Sequence, residues 1–211
     1  MKIAVCGATG LTGRSVVEQA LGEGHDVVAL VRNPAGLDLN HRNLKVLEGN
    51  PTVAPDVERC LIDGVEVVIN CIGVGGKGDG QHTTVVSDSV ITTIAAMRNH
   101  GTRRIVCMSN IGTGDSGPRW FTKAVVPLAA RWLQPIIADK ERMEAALRGT
   151  TDIEWISARM AAIVEGPAKP IRTNETGRGI GMRITAPSAA RFLLDRIDGH
   201  ESLSQTPSVS N

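Results

Sequence analysis

The chain has 211 residues, a length that suits one folded domain. Lysine and arginine number 23 and aspartate and glutamate 22, so the formal net charge is +1, which argues against a broad nucleic-acid-binding surface. The sequence contains three tryptophans, two phenylalanines and no tyrosine. Any mechanism in which this chain donates a tyrosine proton is therefore excluded.

Short apolar runs alternate with segments of helical period. The predicted strands are 3–6, 27–31, 44–47, 65–72, 105–108 and 153–156, and the predicted helices are 12–23, 55–62 and one that carries Val86, Val90, Ile94 and Met97. Strands that are apolar on both faces and separated by helices predict a parallel sheet covered on both sides. With right-handed crossovers this gives an α/β, Rossmann-type doubly wound sheet in a single domain. The polar residues 202–211 are left open as a flexible tail or an edge strand.

The four cysteines show no metal-binding pattern. Cys6, Cys71 and Cys107 lie in or beside apolar runs, and Cys60 lies in a helical stretch. Without a CxxC pair or a histidine at zinc-like spacing, we predict buried, reduced thiols and no metal site. The chain opens directly with a strand pattern, and no apolar run reaches the ~20 residues that span a bilayer. We therefore expect a cytoplasmic protein with no signal peptide and no membrane or nucleic-acid partner.

A glycine-rich segment, Gly7-Ala8-Thr9-Gly10-Leu11-Thr12-Gly13, joins the first strand to the first helix. A dinucleotide pyrophosphate needs backbone N–H groups at a helix N-terminus and small residues that let it approach. Gly7 can make the tight turn, Gly10 can permit the approach, and Gly13 can let the helix pack on the strand. An ordinary turn is the alternative, but the strand–loop–helix context favours dinucleotide binding.

The end of the second strand discriminates between dinucleotides. NAD-preferring sites usually place an acidic residue ~20 positions after the glycines. Here Arg32 lies 19 residues after Gly13, and Arg14 lies nearby in sequence. A guanidinium can pair with a 2′-phosphate, so we predict NADP(H) as the cofactor. A solvated arginine at a strand end is the alternative.

These motifs resemble the atypical short-chain dehydrogenase/reductases, in particular the NmrA-like group that includes NADPH-dependent flavin and biliverdin-B reductases. The similarity covers nearly the whole chain. It rests on GATGLTG (7–13), VALVRNP (28–34), VVINCIGVG (67–75), RIVCMSNIG (104–112), ADKERMEAALR (138–148), DIEWISAR (152–159) and ITAPSAARFLL (184–194).

The resemblance implies where the cofactor binds. The pyrophosphate would contact residues 7–12, the 2′-phosphate would contact Arg32, and the nicotinamide-ribose side would be lined by Ile72, Gly73 and Ser109. Two departures are visible. Asn50 replaces an acidic residue that relatives usually carry near adenine, and Met160 follows Arg159 where relatives often have proline.

Ser109 and Lys140 are the candidates for catalysis. Ser109 ends a central strand, where ligands of such sheets bind, although it could instead satisfy its own backbone. Lys140 follows Asp139, a predicted helix N-cap. In similar proteins a lysine at the start of this helix lies near the nicotinamide, where it could hold the ribose or act as a general acid if burial lowered its pKa. A surface lysine in the first helical turn is the alternative.

Residues 112–135 form the predicted substrate lid, with Trp120, Phe121 and Trp132 as stacking residues for a flat apolar substrate. The alternative is a helix that packs its tryptophans on the core or on another subunit. The sequence thus predicts an NADPH-dependent reductase, monomeric or homodimeric, that passes hydride to a small flavin, quinone or polycyclic ketone. A non-catalytic NADP(H)-binding regulator with a protein partner is the alternative, and an NAD(P)-dependent epimerase is a third.

Overall fold

The strands and helices follow the predicted alternation through the first half of the chain. The computed structural model describes residues 1–74, 80–114, 116–126, 131–199 and 203–211, apart from the side chains of Phe121 and Thr122. The elements up to residue 110 are β1 (Lys2–Cys6), α1 (Leu11–Gly22), β2 (Asp26–Val31), β3 (Leu44–Glu48), α2 (Ala54–Leu61), β4 (Val67–Asn70), α3 (Val85–His100) and β5 (Arg104–Asn110).

The second half adds a long helix and several short strands. They are α4 (Gln134–Arg148), β6 (Glu154–Met160), β7 (Ala162–Val164), β8 (Arg172–Asn174), β9 (Arg183–Thr185), α5 (Ala186–Leu194) and β10 (Ser208–Ser210). Short turns of other helix types cover Pro34–Gly36, Phe121–Val125 and Arg131–Leu133.

Eight strands form the main sheet in the order β3-β2-β1-β4-β5-β6-β10-β8. The pairings are parallel except for the last, between β10 and β8, and β7 pairs with β9 in a separate two-stranded sheet. The strand order reverses between β1 and β4, and ligands of such sheets bind at the carboxyl ends beside this switch point. The predicted single-domain Rossmann-type sheet is confirmed.

Apolar side chains cover both faces of the sheet. In β1, Ile3 and Val5 join one buried cluster and Ala4 and Cys6 join the other. The first cluster includes residues of α1 and α5, and the second includes residues of α2, α3 and α4. Burial on both faces explains why the strand sequences read as continuous apolar runs.

The C-terminal residues are neither a frayed tail nor an edge strand. Strand β10 lies between β6 and β8, and Ser208, Val209 and Ser210 are fully buried. Serine is an uncommon residue in a buried strand, so a hydrophobicity pattern does not predict β10. Here the Ser210 hydroxyl accepts a hydrogen bond from the Gly181 N–H at 2.8 Å. Residue 202 of the predicted tail lies outside the described residues.

All four cysteines are buried and free, as predicted. Burial raises the pKa of Cys60, Cys71 and Cys107 to about 12 and that of Cys6 well above its usual value, so the thiols stay protonated. Within the described ranges, no helix combines the length and apolarity needed to cross a bilayer. The same residues contain no group of three or more acidic, histidine or cysteine side chains placed to hold a metal.

Candidate functional site

The glycine-rich loop between β1 and α1 is shaped by close backbone packing. Gly7 has a φ of +81°, and a Cβ there would lie 2.9 Å from the carbonyl carbon of Cys71. A Cβ at Gly13 would lie 2.1 Å from the Gly7 carbonyl oxygen. At Gly10 the nearest such atom is 3.5 Å away, an ordinary contact. The fold itself therefore requires Gly7 and Gly13, whereas Gly10 leaves open space in front of the helix.

The N-terminus of α1 is suited to an anion. Its N-cap, Gly10, offers no capping side chain, and the first turn holds no acidic residue. The Thr12 hydroxyl is buried and has no hydrogen-bond partner among the described residues, while Leu11 beside it is exposed. An unpaired buried hydroxyl costs roughly 1–3 kcal/mol, which a phosphate oxygen accepting its hydrogen would recover. These residues fit the pyrophosphate of a dinucleotide.

Arg32 lies immediately after β2 and is exposed. The described residues offer its guanidinium no salt bridge or hydrogen bond, whereas Arg14 is committed to Glu18 at 3.1 Å. The turn that follows packs on the glycine loop, since a Cβ at Gly36 would lie 3.2 Å from the Thr9 methyl group. The loops after β1 and β2 therefore meet, as a site for a phosphorylated ribose requires.

Asn50 has its side-chain oxygen committed to a local turn. The oxygen accepts hydrogen bonds from the Thr52 N–H at 3.1 Å and the Thr52 hydroxyl at 3.0 Å. The Asn50 N–H donates to Asp56 at 2.8 Å, and this bond, aided by Arg59, lowers the pKa of the Asp56 carboxyl. Sequence reasoning missed Asp56. Its signal in the sequence was an acidic residue near the start of the predicted helix after the third strand. In the structure Gly49 makes room for it, since a Cβ at Gly49 would lie 2.8 Å from the Asp56 Cβ.

Lys140 belongs to α4, and its side chain is almost completely buried. Its ammonium group donates to the carbonyl oxygens of Met108 in β5 and, at 3.2 Å, of Ile72 just after β4. Burial lowers its pKa to about 8, opposed by Cys107 and Asp139. The expectation that Asp139 caps this helix is wrong, because α4 begins at Gln134 with a proline in its first turn. The alternative of a surface lysine in the first turn is wrong too, because Lys140 is buried.

Asp139, Lys140 and Glu141 reach three different elements from one turn of α4, and we call them the α4 triplet. The two Asp139 carboxylate oxygens accept hydrogen bonds from the Val86 and Ser87 N–H groups at 2.9 and 3.0 Å, so Asp139 caps α3. Glu141 accepts from the Gly114 N–H at 3.1 Å. One helical turn thus fixes the start of α3, the ends of β4 and β5, and the loop after β5.

Ser109 lies near the end of β5 and is fully buried. Its hydroxyl donates to Glu144 at 3.0 Å, and Glu144 also accepts from Arg159 Nε at 3.0 Å and Nη2 at 2.6 Å. The guanidinium supports the next loop, since a Cβ at Gly114 would lie 2.8 Å from Arg159 Nη2. Sequence reasoning missed Glu144, and its position one helical turn after Lys140 was the signal available. The catalytic roles of Ser109 and Lys140 remain predictions.

The predicted lid, residues 112–135, exposes its tryptophans. Trp120 is 61% exposed and Trp132 38% exposed, so packing on the core is wrong for both. Trp132 lies in the short turn that leads into α4. Residues 115 and 127–130 and the Phe121 side chain lie outside the described residues.

A pocket of about 290 Å³ lies between this segment and the first half of α4. Gly112, Gly114 and Val126 form one wall, and Ile137 and Glu141 belong to the other. The described residues that line the pocket include neither tryptophan. A second pocket, of about 360 Å³, lies beside the start of β6 and residues 204–207, away from the glycine loop.

Of the other predicted cofactor residues, Ile72 is half-buried and Gly73 is exposed directly after β4. The carboxyl ends of β1, β2 and β4 are therefore followed by Gly7, Arg32 and Ile72. Ser109 lies at the same side of the sheet, near the carboxyl end of β5. A family model described as NAD(P)H-binding matches residues 7–199. The chain belongs to this NAD(P)H-binding family. The predicted NAD(P)H-binding family membership is confirmed by this match.

Comparison with other proteins places this NAD(P)H-binding chain among distant relatives. It is 32% identical to an uncharacterized protein of Mycobacterium tuberculosis over 115 residues, which are 52% of this chain and 12% of that protein. A Lactobacillus casei crystal structure matches with a TM-score of 0.82 at 24% identity, covering 100% of this chain and 99% of the other. A Veillonella parvula short-chain dehydrogenase/reductase in complex with NADP matches with a TM-score of 0.78 at 14% identity, covering 100% and 94%. These two structures share the fold of this chain.

Proposed function

We propose that this protein is an NADPH-dependent reductase that transfers hydride to a flat aromatic or conjugated acceptor, such as a flavin, a quinone or a polycyclic ketone. The observation that carries the proposal is the position of Lys140. A buried ammonium group lies between the carboxyl ends of β4 and β5, beside the edge at which such sheets bind their ligands.

The cofactor would be held mainly by backbone groups. The loop from Gly7 to Thr12 would bind the pyrophosphate, and Arg32 would pair with the 2′-phosphate that distinguishes NADP from NAD. Asn50 would offer its amide to the adenine, and Ile72, Gly73 and Ser109 would line the nicotinamide-ribose side. Bound there, a reduced nicotinamide supplies a hydride, and the acceptor takes up a proton from water.

The role of Lys140 follows from its charge. With a pKa of about 8, most of its population carries a proton at pH 7. The positive charge would stabilise the negative charge that hydride addition leaves on the acceptor. A reduced flavin or quinone takes its proton readily from water, so the absence of tyrosine from the sequence is compatible with such acceptors. Residues 112–135 are the proposed cover of the acceptor, and the exposed Trp120 and Trp132 are its proposed stacking residues.

Steady-state NADPH oxidation with riboflavin, quinones and ketones tests the activity. We expect turnover with at least one acceptor class and a lower rate in Lys140→Met, whose pH profile should lose the step near pH 8. Tight NADPH binding without turnover on any acceptor would contradict the proposal.

The choice of cofactor is tested separately. Replacing Arg32 by glutamine should weaken NADP⁺ binding by about tenfold or more, since charge-assisted hydrogen bonds contribute roughly 1.5–3 kcal/mol. NAD⁺ binding should be unchanged within about twofold, because NAD⁺ has no 2′-phosphate. Arg42→Gln, in the exposed loop before β3, is a matched charge control. An equal loss for both dinucleotides would argue against the assignment.

The exposure of Trp120 favours a second candidate, a non-catalytic NADP(H)-binding regulator that docks a protein partner. It predicts different dissociation constants for NADP⁺ and NADPH and a partner that is lost in Trp120→Ala. Equal constants and no recovered partner would exclude it.

A further inference from the structure

The pocket between the loop after β5 and α4 has a volume of about 290 Å³. Small-molecule pockets usually measure roughly 300–1,000 Å³, so this one lies just below that range and has room for one part of a ligand, such as a single ring system. Gly112, Val126 and Ile137 give it apolar walls, and the backbone at Gly114 closes one side. Gln134 and Glu141 supply the polar side chains of its lining.

Glu141 is the one charged residue among the described residues that line this pocket. One of its carboxylate oxygens accepts the Gly114 N–H at 3.1 Å, and the described residues give its other oxygen no hydrogen bond or salt bridge. The turn that carries it is fixed on two other sides, because Asp139 caps α3 and Lys140 is bound to strand carbonyls. Glu141 is exposed, so its second oxygen is an acceptor open to a ligand.

We propose that this pocket binds an uncharged ring compound that donates an N–H or O–H to Glu141, and that Glu141 excludes acceptors that carry a phosphate or another negative group. A carboxylate accepts hydrogen bonds strongly and repels anions at close range. That the bound compound is reduced rests on the proposed function, whereas the charge selection does not. Glu141 is then the residue that determines specificity at this site.

Riboflavin and FMN test the proposal, because they share a ring and differ by one phosphate. Fluorescence titrations of the full chain, saturated with NADP⁺, give a dissociation constant for each. We expect riboflavin to bind about tenfold more tightly than FMN at low salt, with a smaller difference at 0.5 M NaCl, since exposed charges are screened. In Glu141→Gln the preference should fall below about twofold through tighter FMN binding.

The matched control is Glu66→Gln. Glu66 is an exposed carboxylate just before β4, at the opposite edge of the sheet, and its Oε1 accepts the Lys2 N–H at 2.8 Å, a role that an amide oxygen can keep. This variant should retain the wild-type preference. Equal wild-type affinities for the two flavins, a preference that Glu141→Gln leaves intact, or failure of both to bind would overturn the proposal.

NADPH oxidation by the same variants separates this proposal from the proposed function. Glu141-dependent binding without turnover would overturn the reductase activity and leave the charge selection standing. Turnover with equal KM for riboflavin and FMN in every variant would overturn the charge selection and leave the activity standing.

Discussion

The two ends of the candidate site owe their shapes to different features of the sequence. At the β1–α1 loop the shape is set by missing side chains, since Gly7 and Gly13 bring backbone atoms closer than a Cβ would allow. At the α4 end it is set by buried charged side chains, since Lys140, Glu144 and Arg159 are all nearly inaccessible to solvent. The first end therefore depends on the absence of side chains at two positions, and the second on hydrogen bonds between charged side chains of different elements.

This difference predicts different responses to mutation. The loop can lose ligand binding while the fold remains intact, because its exposed part makes few contacts within the protein. The α4 end cannot lose a charged partner without leaving another charge buried and unpaired, which is costly. Substitutions at exposed positions of the cofactor end should therefore mainly affect ligand binding, and substitutions of buried charges at the α4 end should mainly affect the stability of the fold.

Glu144→Ala should have the largest effect. It removes the carboxylate that accepts hydrogen bonds from Arg159 and Ser109, and leaving a buried partner charge unpaired costs about 3–5 kcal/mol of unfolding free energy. Urea denaturation measures the loss.

The control for this prediction is the double variant Glu144→Met/Arg159→Met, which removes both charges. It should recover most of the lost stability, because apolar replacement of a buried ion pair is often neutral. A loss of less than about 1 kcal/mol in Glu144→Ala, the range of exposed ion pairs, would remove the distinction between the two ends.

Lys140→Met should change how stability depends on pH. The folded-state pKa of Lys140, about 8, lies below its ordinary value of 10.5, so between these values the unfolded chain binds more protons. Wild-type stability should therefore rise relative to Lys140→Met from pH 8 to 10.5, by at most about 3 kcal/mol at 1.36 kcal/mol per pKa unit.

Urea titrations of both proteins at several pH values measure this difference. The cysteines, whose folded-state pKa values are raised, lower stability above pH 9 in both proteins. Because the Lys140 charge lowers the pKa of Cys71 and Cys107, the comparison between pH 8 and 9 is the part that reports Lys140 itself. A constant difference from pH 7 to 10 would show that Lys140 titrates normally.

Gly13→Ala and Gly10→Ala sharpen the comparison at the loop. Gly13→Ala forces a Cβ against the Gly7 carbonyl and should cost roughly 1–3 kcal/mol of stability, as overpacking does. Gly10→Ala should change stability by less than about 1 kcal/mol, since it alters only the helix N-cap. It should nevertheless weaken dinucleotide binding. Thermal denaturation and dinucleotide titration separate the two, and equal stability losses would contradict the assignment of Gly10 to ligand approach.

The sequence predicts the cofactor end better than the α4 end for a physical reason. The glycine spacing and Arg32 are local signals tied to one strand–loop–helix unit. Glu144 and Arg159 are charged residues, which a pattern argument places on the surface because burial of unpaired charge is unfavourable. Their burial becomes understandable only once α4 and β6 are packed together.

Short and polar elements escaped prediction for related reasons. The residues of β7, β8 and β9 form strands of three residues each, too short for a period to show. Asp139 looks like an N-cap, and it is one, but for a helix that begins more than 50 residues earlier in the chain. The local capping rule correctly predicts that Asp139 accepts hydrogen bonds at a helix N-terminus, but it names the wrong helix.

The α4 triplet has a consequence for how the two halves of the site communicate. Lys140 borders the place assigned to the cofactor, and Glu141 borders the acceptor pocket, and the two are neighbours on one helical turn. A ligand that shifts this turn of α4 changes the positions of both side chains. Thermodynamic linkage requires the effect to be reciprocal, so we expect acceptor affinity to differ between the free and the cofactor-bound protein by the same factor as cofactor affinity differs with and without acceptor.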